Sequence, residues 1–275
     1  MGQRRMRRGQ LRTWVWGLVL LCLGASPALA QSLSKQQMAD FLANARIVSS
    51  KDLPKGVTRP VRLTLSDGVT THDAVFSTIQ EQIPIMRFKN GRTELDFVDS
   101  YRYSIAAHRV AELVGLDDMV PVTVERVWQR RKGALSWWID ARWDEEARRK
   151  QKLESPDAES WKRQTSRMRV FEQLIADTDR NLGNILITAD WKLWMIDFTR
   201  AFRRSPGLAA PATLNRCDRQ LLDRLRSLTR ERLRKAAEPY IGGAEIDALL
   251  ARRDLIVARF DQLATARGEA LVLFD

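Results

Sequence analysis

The chain of 275 residues is poor in the side chains that most often build metal and nucleophile sites. It has two histidines, His72 and His108, and two cysteines, Cys22 and Cys217. No Cys/His cluster is present, which argues against a zinc site. There is no G-x-S-x-G elbow, and neither histidine lies near a suggestive serine, so Ser-His-Asp catalysis has no support. The phosphate loop G-x-x-x-x-G-K-[ST] and the dinucleotide fingerprint G-x-G-x-x-G are also missing, which removes the usual nucleotide-binding folds. No internal repeat or low-complexity tract is found.

Acids are absent from the first thirty residues. That segment has a basic start (Arg4, Arg5, Arg7, Arg8, Arg12), an apolar run from Trp14 to Leu23, and Ala28-Leu29-Ala30 before Gln31, the three parts of a secretory signal. The run is shorter than the roughly 20 residues of a membrane-spanning helix, although an uncleaved anchor is the alternative. Leu21 before Cys22 argues against lipoprotein processing. The expectation is a signal peptide over residues 1–30, cleavage after Ala30, and an exported, periplasmic or secreted protein.

Loss of five arginines with the signal takes the formal net charge from +12 to +7. Such a surface suits anionic lipid, acidic substrates or nucleotide phosphates, and peripheral membrane contact is one expectation. No nucleic-acid partner is expected, and solvated Arg-rich helix faces account for most of the charge. Cys217 then stands alone, so no intramolecular disulfide forms, and a small buried residue is expected there.

The informative stretch is Asp179-Arg180-Asn181-Leu182-Gly183-Asn184, followed by Ile185 to Thr188, Ala189-Asp190-Trp191, and Lys192 to Phe198. Two short β-prone runs around turn residues read as a tight hairpin. With the turn centred between Asp190 and Trp191, Asn184 and Asp197 oppose each other at the open end. Opposed residues lie about 4.5 to 5.5 Å apart, a span that a hard divalent cation bridges with oxygen ligands. Asp179 precedes Asn184 by five residues and would orient an attacking hydroxyl or accept its proton. Asp177 competes for that role, but its offset fits a loop buttress better.

This pattern resembles the D-x-x-x-x-N and D-F elements of kinase catalytic cores. With Arg180 directly after the acid it is similar to the atypical kinases: the phosphoinositide, HipA-type and secretory-pathway (Golgi casein kinase) families. Ile105-Ala106-Ala107-His108-Arg109-Val110-Ala111-Glu112-Leu113-Val114-Gly115-Leu116, closing with Val120 to Arg126, resembles the small-lobe helix and following strand of the secretory family. Together the matches cover about a quarter of the chain. The resemblance implies an α+β, two-lobed protein-kinase-like fold with a small β-rich N-lobe (31–140) and a mostly helical C-lobe (141–275). It implies ATP with Mg or Mn as cofactors, Asp179, Arg180 and Asn184 in catalysis, and Asn184 with Asp197 on the metal. Arg180 could equally bind a neighbouring carboxylate.

Two departures accompany the likeness. In the resembled families a lysine on the third strand holds the α and β phosphates and pairs with a helix acid. Here Ser77 and Ser104 stand at those places. Loss of both is coherent, because one alone would strand a charge. Substitutes are sought in Arg87 to Glu94, with Lys89 or Arg92 meeting phosphate and Glu94 pairing with it; an exposed charged loop is the plainer account of that segment.

Elsewhere, residues 34–45 read as a helix with Met38, Phe41 and Leu42 on one stripe, followed by a loop with Pro54 and Gly56. Arg59 to Leu65 and Thr70 to Ile79 flank the turn Ser66-Asp67-Gly68. Tyr101 to Val114 is a helix capped by Asp99 or Ser100 and stopped by Gly115. Val120 to Trp128 and Ala134 to Ile139 make a hairpin across Gln129 to Gly133, before a connection at Trp138 to Arg142. Asp144 to Pro156 suits a surface helix and loop, and Trp161 to Ala176 a buried helix. After a loop from Arg200 to Pro211 come helices at Arg219 to Leu228, Arg230 to Tyr240 and Ala244 to Arg267.

Three functions fit. The first is an exported phosphotransferase acting on a protein, lipid or sugar hydroxyl. The second is a pseudokinase that binds nucleotide or a partner protein without turnover. The third is a secreted binding module.

Overall fold

The computed structural model describes residues 1–2, 33–53, 60–88, 91 and 93–275. The signal segment with its cleavage site, the loop with Pro54 and Gly56, and Lys89 and Arg92 lie outside the described residues. The chain divides into Met1–Ser32 and Leu33–Asp275, and the described helices and strands all belong to the second unit.

Helix α1 (Lys35–Asn44) starts at a capping box, in which the Ser34 hydroxyl accepts from Gln37 N while the Gln37 side chain accepts from Ser34 N. Strands β1 (Arg46–Asp52), β2 (Val61–Ser66) and β3 (Thr71–Ser77) follow as antiparallel neighbours. Asp67 closes the β2–β3 turn by accepting from Val69 N and Thr70 N, as the Ser66-Asp67-Gly68 signal implied. β4 (Gln80–Arg87) and β5 (Thr93–Ser100) form a separate two-stranded ribbon. Arg87 and Glu94 therefore belong to strands rather than to a charged loop.

Helix α2 (Tyr101–Val114) is capped by the Ser100 hydroxyl on Arg102 N and ends at Gly115 with φ 73°. A left-handed residue at that position favours glycine, which carries no Cβ penalty. Strands β6 (Thr123–Trp128) and β7 (Arg131–Trp137) pair across a turn tighter than expected, with Gln129 and Arg130 both at positive φ and Arg131 to Gly133 already in the strand. The five-stranded sheet runs β1-β2-β3-β7-β6. Its core is Phe41, Leu42, Leu63, Leu65, Phe76, Val122, Val124 and Leu135.

β8 (Trp143–Asp144) leads into α3 (Glu145–Lys150), and then the long α4 (Ala158–Ile175) follows. β9 (Ile185–Ile187) and β10 (Leu193–Met195) form the anticipated hairpin, with β8 as an unanticipated third strand. β11 (Cys217–Asp218), α5 (Arg219–Arg226), α6 (Arg230–Ala237), α7 (Gly243–Arg267), α8 (Glu269–Val272) and β12 (Leu273–Phe274) complete the chain, with β11 and β12 parallel. Cys217 is fully buried. One large core joins α2, α4, β9, β10 and the C-terminal helices through Val110, Phe171, Leu174, Phe198, Phe202, Leu249 and Phe260. The result is a β-rich N-terminal part and a helical C-terminal part. Among the described residues no helix is long and apolar enough to cross a membrane.

Candidate active site

The site is built where α4 ends and the β9–β10 hairpin begins. Ala176 ends α4 at φ 48°, and Asp177 turns its side chain inward, with none of it exposed. Asp177 accepts from Asp179 N at 3.2 Å and from the Arg180 guanidinium. It is thus the buttress of the loop. Asp179 itself faces outward, with 44% of its side chain exposed. Burial nevertheless raises its proton affinity; Arg200 opposes the shift, and the Asp197 and Asp177 carboxylates add to it.

Arg180 has a different place from the catalytic one the resemblance implied. Its side chain is 5% exposed. It donates to Asn184 O at 2.9 Å and to Ile196 O, pairs with Asp177 and Glu172, and stacks over Phe198 with its Cζ 4.6 Å from the ring centroid. A guanidinium so committed ties the loop to the open end of the hairpin. Glu172, in the same buried group, has its pKa pushed up to about 7, mainly by desolvation.

The hairpin register differs from expectation by one residue. Leu193 pairs with Ile187 and Met195 with Ile185, and Ile196 N donates to Asn184 O at 3.0 Å. Asn184 therefore lies opposite Ile196, not Asp197. The cause is the turn: Thr188 N donates to Lys192 O and Trp191 N to Thr188 O, so the loop is centred on Asp190, with Trp191 at φ 62°. Asp197 lies one residue beyond the pairing and adopts φ 57°, a left-handed conformation that Asp tolerates better than most residues and that is often found at functional sites. Asp197 is also exposed rather than buried.

The Thr199 hydroxyl donates to Asp197 Oδ1 at 3.0 Å, and Ser100 N donates to Thr199 O at 2.8 Å. These bonds bring Asp99 to the site, a residue that sequence reasoning weighed only as a helix cap. Burial raises the proton affinity of Asp99, Thr199 lowers it, and the Asp197 charge raises it again. Asp99 Oδ1 is buried without a hydrogen-bond partner among the described residues. Asn184 donates its amide nitrogen to Asp179 O at 3.2 Å, which leaves its amide oxygen as an acceptor. Asp197, the Asn184 oxygen and the orphaned Asp99 oxygen are hard donors, and this chemistry fits a divalent cation. Among the described residues no three His, Cys, Asp or Glu side chains converge as a ready metal cage.

Glu94 reaches the same region from β5. It pairs with Arg200 at 2.8 Å and with Arg203, and Arg200 in turn approaches Asp179 at 3.6 Å. The two arginines follow Asp197 in a segment that carried no readable signal. Arg252 on α7 fixes that segment from beneath. Fully buried, it donates to Leu174 O at 2.9 Å, Arg203 O at 2.8 Å and Ser205 O, and burial lowers its pKa to about 10.

No family model matches the chain, and no curated protein sequence does. Solved structures do match. The hydra Fam20 with sugar superimposes with a TM-score of 0.61 at 14% identity, over 87% of this chain and 91% of that one. The Golgi casein kinase, in two structures of which one has Mn/ADP bound, gives a TM-score of 0.57 at 12% identity over 87% of this chain, and 77% and 78% of those chains. At these identities the likeness speaks for architecture, and the chain has the kinase-like fold of these structures.

Proposed function

We propose that this chain is an exported, metal-dependent phosphotransferase that moves the γ-phosphoryl group of ATP to a protein, lipid or sugar hydroxyl. The observation that carries this reading is the meeting of Asp179, Asn184 and Asp197 at one end of the β9–β10 hairpin, with Asp197 near enough to raise the proton affinity of Asp179. The kinase-like fold supports it.

Asp179 orients the acceptor hydroxyl and takes its proton as the oxygen meets phosphorus. Its raised proton affinity makes it a stronger base than an ordinary aspartate. Asp177 and Arg180 hold the loop so that Asp179 projects outward, and the Asn184 amide bond to Asp179 O fixes the spacing between base and metal ligand. Asp197 and Asn184 would hold a divalent cation, which would neutralise phosphate charge when bound. Catalysis is then mostly positioning.

The test is transfer of radiolabel from [γ-³²P]ATP with Mg²⁺ or Mn²⁺, for the purified chain and for Asp197→Ala. Transfer is expected for the native chain only, and labelling that survives the substitution unchanged would sink the assignment. A second reading, a pseudokinase that binds nucleotide and activates a partner enzyme, is favoured by Ser77 on β3 and Ser104 on α2, where a lysine and its acid are lacking. It is distinguished by nucleotide binding without transfer.

A further inference from the structure

The phosphate-binding lysine has no replacement on its own strand. Ser77 closes β3 opposite Ala134, and its hydroxyl is buried without a partner among the described residues. A kinase-like site still needs a cation against the transferring group. Among the described residues three arginines lie close. Arg180 is spent on backbone carbonyls and Asp177. Arg203 sits beside Glu94, with its carbonyl held by Arg252.

Arg200 differs from both. Its side chain is 11% exposed, and one terminal nitrogen lies 2.8 Å from Glu94 while the other lies 3.6 Å from the Asp179 carboxylate. The first contact is a full charge-assisted hydrogen bond, whereas the second is too long to be one. The guanidinium is thus anchored on Glu94 and loosely shared with the base. Its Cζ lies 5.4 Å from the Phe88 ring centroid and 4.9 Å from that of Phe97. Two rings beside a planar fork fix its orientation, which lessens the entropy lost when it binds an anion. Its backbone is fixed as well: Thr178 Oγ1 donates to Arg200 O at 3.2 Å, and Ala201 N to Phe198 O at 2.9 Å.

We propose that Arg200 is a catalytic residue that grips the γ-phosphoryl group, and that Glu94 is its positioning partner, the pair rebuilding from β5 and the post-hairpin loop the ion pair that β3 and α2 lack. The inference rests on the phosphotransferase reading above. In the step, the acceptor oxygen gives its proton to Asp179 and forms the new O–P bond. The bond from γ-phosphorus to the bridging oxygen breaks, and ADP leaves with that electron pair. The oxygen that Asp179 deprotonates is the one that becomes bonded to phosphorus. A cation 3.6 Å from the Asp179 carboxylate is therefore next to the equatorial phosphoryl oxygens, where an arginine stabilises the developing charge.

The experiment is calorimetric titration of the full chain with Mn²⁺·ATP and with Mn²⁺·ADP, for the native protein, Arg200→Gln and Arg200→Lys, with thermal unfolding as a check on folding. Loss of a charge-assisted contact to the γ-phosphate weakens ATP binding by about 10- to 100-fold in Arg200→Gln. ADP affinity holds, because ADP lacks that phosphate. Arg200→Lys keeps the charge without the fork and loses part of the ATP preference. Should Arg200→Gln not fold, the lysine variant carries the test. Equal losses of ATP and ADP, or no loss, overturn the role of Arg200 alone. A native protein that binds neither nucleotide overturns this role and the phosphotransferase reading together.

Discussion

Replacing Arg180 by Met isolates the group that holds the loop of residues 177–184. The methionine keeps most of the side-chain volume beside Phe198 and removes the guanidinium. It strands the Asp177 carboxylate, whose side chain has no exposure, and leaves the carbonyls of Asn184 and Ile196 without their charged donor. Removal of one partner of a buried pair costs about 3–5 kcal/mol, because the remaining charge stays desolvated. In a unit of this size that is a fall in Tm of about 10 °C. Most of the cost is the stranded charge, so Asp177→Asn added to Arg180→Met restores part of the stability, and the double variant is more stable than the single. Denaturant unfolding at fixed pH reads both. A single variant within about 1 kcal/mol of native stability, or a double variant no better than the single, would refute the reasoning.

Glu172 gives a pH signature. Its folded pKa of about 7 lies above its ordinary value of 4.5, so the native state holds more protons between these values, and the group's stabilisation, full at low pH, is lost as pH rises through 7. The span is about 3 kcal/mol, and Glu172→Gln is expected to flatten the denaturant midpoint between pH 5 and 8; an unchanged slope would assign it elsewhere. Arg252→Met removes the charged donor from three carbonyls, of which that of Leu174 is buried, at about 1 kcal/mol each. Limited proteolysis is expected to cut this variant faster near Arg203 to Ser205, and equal rates would show that α7 does not hold that segment.

The parts of the fold written in local chemistry were legible. The Met38, Phe41 and Leu42 stripe, Ser100 with Gly115, and the Ser66-Asp67-Gly68 turn each lie within a few adjacent residues, and α1, α2 and the β2–β3 hairpin follow from them. The β4–β5 ribbon was not legible. Pro84 interrupts its first strand, and the pairing skips from Ile83 with Phe97 to Ile85 with Leu95, leaving Asp96 at φ 48°. A proline inside a run argues against a strand, and only an edge position rescues it. The slip at the β9–β10 hairpin has a similar origin. Whether the turn is centred on Asp190 or half a residue later is decided by the left-handed Trp191, and nothing in the residue type announces that conformation.

Long-range charge was least legible of all. The sequence shows both members of the lysine and glutamate pair replaced by serine, and taken alone that pattern favours a site without turnover. The fold brings Glu94, Arg200 and Asp179 together from positions 94, 200 and 179, which share no motif spacing. Nothing requires the cation and its acid to come from β3 and α2, since phosphate responds to where the charge is and not to which element carries it. An ion pair can therefore be lost as a motif and kept as a field. Catalytic and non-catalytic readings both allow nucleotide to bind, and they part at the γ-phosphate. Under the transfer reading, Arg200, whose guanidinium lies 3.6 Å from the Asp179 carboxylate, is the group by which the site would tell ATP from ADP.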